Sequence, residues 1–140
     1  MQAKELMIGD YISVKPSGML IKVAAVHHKK VAYHAVVNKL AWVRESLLEP
    51  IPLTPEILEK NGFETEDDVH FSIQGQSDIL ELLLVELPFD GYYFDIVRTE
   101  KTINKCNQRC YIDRYFASIY YVHQLQHALR LCGIEKEIEL

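Results

Sequence analysis

The sequence predicts an α+β fold: a curled N-terminal antiparallel β-meander resembling a small open barrel, a short linking helix, a further β-hairpin, and a C-terminal helix packed on the sheet. Three observations point there. Short alternating runs punctuated by Gly, Pro and Asn fill the first third. A Thr-Pro-Glu triplet opens a helix near the middle. Apolar residues three or four apart run through the last helix. At 140 residues the chain suits one compact domain, 1–140, with a β-meander subdomain at 1–53 and an α+β subdomain at 54–140.

The elements follow in order. Gly9-Asp10 opens a strand over 11–14, and Pro16-Ser17-Gly18 turns the chain, with Gly free to take positive φ. A second strand covers 20–26. His27-His28-Lys29-Lys30 is polar where the chain must turn again, and 31–37 alternates well enough for a third strand. Asn38-Lys39 turns into "LAWVRESLLEPIPL", a fourth strand with an extended exit. Short, strongly twisted strands of this kind curl on themselves.

In "PLTPEILEKNGF", Thr54 is the N-cap, Pro55 suits the first helical position and Glu56 favours the positive helix end. Gly62 follows Asn61 as the C′ residue, Ile57 and Leu58 form the buried edge, and Phe63 packs beyond it. An acidic loop at 64–68 leads to a strand over 69–73. "ILELLLVELPFDGYYFDIV" suits a hairpin turning at 88–91 and returning over 92–97. A helix over 79–87, capped by Asp78 with Glu81 at N3, competes with it, because the apolar run is too continuous for periodicity to decide. "TEKTINKCNQR" reads as a polar loop and "CYIDRYFA" as a strand. Ser118 caps the closing helix, which ends at Gly133, and "EKEIEL" alternates as a returning sheet edge would.

Composition bounds the function. With 49% hydrophobic and 25% charged residues the chain is an ordinary folded protein. The start holds no signal-like apolar run, and no stretch approaches a membrane span, so the expected setting is soluble and cytoplasmic, with no membrane partner. Cys106, Cys110 and Cys132 make an odd set, which predicts reduced thiols. The net charge of −5 is uneven: residues 1–44 hold seven Lys/Arg against two Asp/Glu, whereas 45–100 hold two against fourteen.

Two surfaces invite chemistry. At 100° per residue, Val122, Leu125, Leu129 and Cys132 form one stripe, and His123, His127 and Arg130 fall almost opposite, as a surface for a partner or for solvent. A zinc hydrolase helix needs H-E-x-x-H, but Gln124 follows His123, so the metal-enzyme alternative on His123 and His127 lacks its base. Cys106 and Cys110 have a permitted zinc spacing but no second pair. No catalytic, metal or cofactor residue is expected. The second surface is basic: Lys15, Lys22, His27, His28, Lys29, Lys30 and Lys39 lie in the first third and suit an anion or nucleic acid, although the acidic total opposes generic phosphate binding. Trp42 and the eight tyrosines could stack on nucleic-acid bases, but most of them sit at apolar strand or helix positions, where a packed core is the expectation. The function this favours is a non-enzymatic module that binds a protein partner or a second copy of itself, with nucleic-acid binding by the basic third as the alternative.

"ELMIGDYISV", "IPLTPEILEKNGF" and "YVHQLQHALRLCGIEKEIEL" together resemble a group of small uncharacterised proteins found in Bacteroides-type gut bacteria and in their phages and mobile elements. That group runs from "IGN(Y/W)V" through "IPLTEEWLLKFGF" to "YVHQLQNLYFALTGEEL". The likeness covers about half of the chain, leaving out the acidic middle and 98–117. His127-Ala128 stands where the group has Asn-Leu, and Cys132-Gly133 where it has Thr-Gly. The resemblance implies a fold and a phage or mobile-element setting, and it carries over no functional residue.

Overall fold

Ser17 and Gly18 turn the chain between β1 (Tyr11–Val14) and β2 (Met19–Lys22): the Ser17 hydroxyl accepts from the Met19 amide, and Gly18 takes φ 68°. This is a computed structural model, describing residues 1–76, 78–103, 106 and 109–140, with the side chains of 78, 100–103 and 109–116 outside the description. The described residues form an α+β fold, with ten strands in three antiparallel sheets and two α-helices. They divide into two compact units, Met1–Pro52 with Tyr121–His123, and Leu53–Tyr120 with Gln124–Leu140.

In the first unit, the strand expected over 20–26 is two strands in two sheets. Val23 donates back to the Asp10 carbonyl, continuing the β1–β2 ladder, whereas Ala24 donates forward to Ala32. The chain therefore changes sheet between those residues and enters β3 (Ala25–His27). A two-residue turn at His28 and Lys29 leads to β4 (Lys30–Val36), and Val37-Asn38 leads to β5 (Lys39–Arg44). Asn38 takes φ 63°, a conformation that asparagine tolerates better than most residues. After a 3-10 turn, β6 (Leu48–Glu49) pairs with β1, giving sheets ordered β2-β1-β6 and β3-β4-β5. Both contribute to one core of Leu6, Ile12, Val14, Ile21, Val31 and Leu48. Burial of each such side chain stabilises by roughly 1.5–3 kcal/mol before entropy is set against it.

The second unit begins with α1 (Pro55–Lys60). Thr54 accepts from the Ile57 amide at 3.3 Å, as its N-cap role predicts. Gly62 donates to Glu59 and Phe63 donates to Leu58, the paired bonds of a Schellman ending, with Phe63 and Leu58 both buried. A four-stranded sheet of order β10-β9-β8-β7 follows, made of β7 (His70–Gln74), β8 (Asp78–Glu86), β9 (Tyr92–Ile103) and β10 (Arg109–Ile119). Residues 79–86 are strand, not helix. Leu80 and Leu82 are buried while Glu81 is exposed, and Leu82 stands between Phe71 and Ile96 in register.

The polar loop expected from 99 onwards is largely strand: Thr99 to Ile103 pair one to one with β10. An antiparallel sheet tolerates a solvated face, so polarity there is no barrier to pairing. Ser118 is also reassigned. It lies in β10, where its hydroxyl donates to Asp95 across the sheet at 2.6 Å. The helix α2 (Val122–Leu131) is instead started by Gln124, whose side-chain oxygen accepts from the Tyr120 amide at 2.8 Å. Gly133 ends α2 at φ 66°, and Ile134 donates to Leu129. The last residues form no strand with any sheet, although Ile138 is buried.

Candidate functional site

Side chains alternate across a strand, so register decides who shares a face. In the β3-β4-β5 sheet, Val31 and Val43 stand opposite each other and turn to the core. The intervening residues form the other face in three rows. His27, Lys30 and Arg44 make one row, Ala25, Ala32 and Trp42 the next, and His34 with Leu40 the third. Rows on one face lie roughly 7 Å apart, two residues along a strand.

Trp42 stands in the middle row, on the edge strand β5, and is 47% exposed. Its row neighbours are alanines, and Ala32 has no exposed surface, which the bulk of the indole directly opposite explains. The Lys30 ammonium sits over the indole, 4.7 Å from the ring centroid. His27 meets the ring edge-on, with centroids 6.2 Å apart and planes at 85°. A cation over an exposed indole is worth about 0.5–1 kcal/mol. His28 and Lys29 form the adjoining hairpin tip, and a recess there is lined by His27, His28, Lys29, Lys30, Arg44, Glu45 and Ser46. The Glu45 carboxylate accepts from the Ala3 amide at 3.1 Å, and so faces a backbone donor of its own.

The basic residues read from the sequence separate into two sets. His27, His28, Lys29 and Lys30 gather on this face and tip. Lys15 pairs with Glu49 at 3.3 Å, Lys22 lies over the Tyr11 ring at 5.5 Å, and Lys39 lies at the far end of the β4–β5 hairpin, opposite Val36. Arg44 and Trp42 were not expected here. The turn alone does not signal Arg44: the hairpin closes with Val36 opposite Lys39, and a one-residue bulge between His34 and Val36 then brings Arg44 opposite Lys30. Trp42 lies beside Arg44 because alternation along β5 puts both on the face that Val43 does not occupy.

The helical surface expected from His123, His127 and Arg130 does not hold together. His123 is buried, 4% exposed, and stacks on Tyr121 with planes 8° apart. His127 is half-buried, and Arg130 alone of the three is exposed. The apolar stripe itself is as read, with Val122, Leu125, Leu129 and Cys132 all buried. Gln126 is buried as well, so α2 is covered on more than one side, and a single-stripe projection misplaces His123. Cys106 is exposed, and the side chain of its proposed zinc partner Cys110 lies outside the described residues. Among the described residues no three His, Cys, Asp or Glu side chains are grouped to hold a metal ion.

The acidic loop has a local structural role. Asp67 accepts from the Val69 and His70 amides at 3.0 and 2.7 Å and pairs with the His70 ring. Those bonds, the His70 amide foremost, hold its carboxyl down at about 2. No helix among the described residues is long and apolar enough to cross a membrane. No protein-family model, curated protein or solved structure matches the chain.

Proposed function

We propose that this protein is a non-enzymatic binding module whose contact surface is the outer face of the β3-β4-β5 sheet and whose partner is anionic. One observation carries the reading: the cations Lys30 and Arg44, with His27 in the same row, lie directly beside an exposed Trp42. Full burial of a large apolar side chain is worth roughly 1.5–3 kcal/mol, and a half-exposed indole forgoes part of that. Aromatic and arginine side chains exposed together are the residue types that dominate binding hot spots. The overall charge of −5 opposes anions at the surface as a whole, so the attraction of this face is local and falls as salt rises.

Chromatography on immobilised heparin tests the reading. The wild type is expected to bind at low salt despite its net negative charge and to elute as salt rises. Lys30→Ala with Arg44→Ala should pass through, while Lys15→Ala with Lys22→Ala should still bind, with circular dichroism confirming that each remains folded. A wild type that flows through at low salt, or equal loss in both double variants, sinks the proposal.

A further inference from the structure

We infer that the anionic partner is single-stranded nucleic acid, with a base stacked on Trp42 and its neighbouring phosphates held by Lys30, Arg44 and the Lys29 tip. This rests on the binding face proposed above and specifies its ligand. Three observations select it among polyanions. The first is an aromatic platform in water: Trp42 offers a π-face that carboxylates and polyphosphate have no use for, whereas every base can stack on it. The second is spacing. The cationic row is one row from the indole, roughly 7 Å, the scale on which a nucleotide separates base from phosphate. The third is continuity: beyond Trp42, His34 and Leu40 form a further row where the next base can lie.

A duplex fits this face poorly. Its bases are stacked on one another, and an indole on an open sheet, flanked by alanines, is not a wedge that separates them. In the free protein the Lys30 ammonium occupies the space above the ring. A base arriving there displaces it, and a long flexible side chain can follow the charge to the adjacent phosphate. Binding therefore exchanges one cation–π contact for a stack and an ion pair, and the side chain that guards the ring becomes a phosphate ligand.

Fluorescence anisotropy with labelled oligothymidylate and oligouridylate tests this on the full-length chain, beside duplex DNA of equal length, polyphosphate and polyglutamate as competitors. Trp42 is the only tryptophan, so its own emission reports on stacking. The expected result is saturable binding of the single strands with quenched emission, at least tenfold weaker binding of duplex, and weak competition by polyphosphate and polyglutamate. Trp42→Leu should weaken single-strand binding roughly tenfold to a hundredfold, and Trp42→Phe far less. The logarithm of affinity should fall with the logarithm of salt at a slope of about −2, as three cations imply for a single strand. If polyphosphate or polyglutamate binds as tightly and leaves Trp42 emission unchanged, the nucleic-acid assignment is overturned while the anion-binding face stands. If heparin binds and no oligonucleotide does, the assignment also fails. If nothing anionic binds, both readings fall.

Discussion

The side-chain amide of Asn61 pairs with the backbone of Glu139 in both directions: Nδ2 donates to the carbonyl at 2.8 Å, and Oδ1 accepts from the N–H at 2.7 Å. Nδ2 also donates to Ile57 at 2.7 Å, and Asn61 is 2% exposed. One residue at the end of α1 thus closes its own helix and stands in for a β-strand neighbour to the C-terminal segment. Lys60 adds a bond to the Leu140 carbonyl, and Ile138 is buried beside these contacts in sequence. Asn61→Ala should cost about 1–3 kcal/mol, since it strands buried polar groups that water must reach. Asn61→Asp should cost at least as much, because it loses both donated bonds. Urea unfolding of both variants checks this, and an unchanged midpoint would mean that the segment is held without Asn61.

The cap expected from Ser118 is supplied by Gln124, and Ser118 bonds across the sheet instead. Gln124→Ala removes the acceptor for the Tyr120 amide and should cost about 0.5–2 kcal/mol, in the range of lost helix caps. Ser118→Ala removes a cross-strand bond to Asp95 instead and should cost about 0.5–1.5 kcal/mol. Hydrogen exchange separates the two: faster exchange at the start of α2 in Gln124→Ala, and in the β9–β10 pair in Ser118→Ala. The reverse pattern would restore Ser118 as the cap.

How far the fold was legible depends on whether local signals decide it. Thr54, Pro55 and Gly62 bound α1 where the sequence puts it, because caps act within one turn. Leu80 and Leu82 could not be assigned from an unbroken apolar run, and cross-strand partners settled them. Residues 99–103 read as loop because the sequence is polar, yet pairing needs backbone, not apolar side chains. The candidate site divides similarly. His27 to Lys30 are adjacent in the chain and were found together, whereas Arg44 and Trp42 join them only through register. His123 was misplaced because angular projection assumes one covered side, and α2 is covered on more.

The β4–β5 turn, with the bulge between His34 and Val36, sets the register that brings Trp42 across from Ala32, and Asn38 takes φ 63° in that turn. Asn38→Gly should leave stability within about 0.5 kcal/mol or raise it, since glycine takes this conformation freely. Asn38→Val should cost about 1–2 kcal/mol, because a branched side chain is poorly suited to it. Thermal unfolding reads the stability change. Near-ultraviolet circular dichroism of the single tryptophan reads the accompanying loosening around Trp42. Equal stability of the glycine and valine variants would remove the turn from this account.

Asp67 gives the clearest pH signature. Its carboxyl is held at about 2, against an ordinary value of 3.8, first by the His70 amide, then by the His70 ring and the Val69 amide. A depressed folded value means that the folded state binds the proton less readily than the unfolded one. The contribution to stability is therefore fully present above the ordinary carboxyl range and is lost as pH falls through about 2. Carboxyl-carbon NMR should show Asp67 titrating near 2, two bonds of the loop opening with it. His70→Ala should move the midpoint only part of the way back toward 3.8, because the strongest bond comes from the backbone and survives the substitution. A wild-type midpoint at the ordinary value would falsify the acceptor geometry assigned to this loop. A full return in His70→Ala would instead make the imidazole, not the amides, its principal partner.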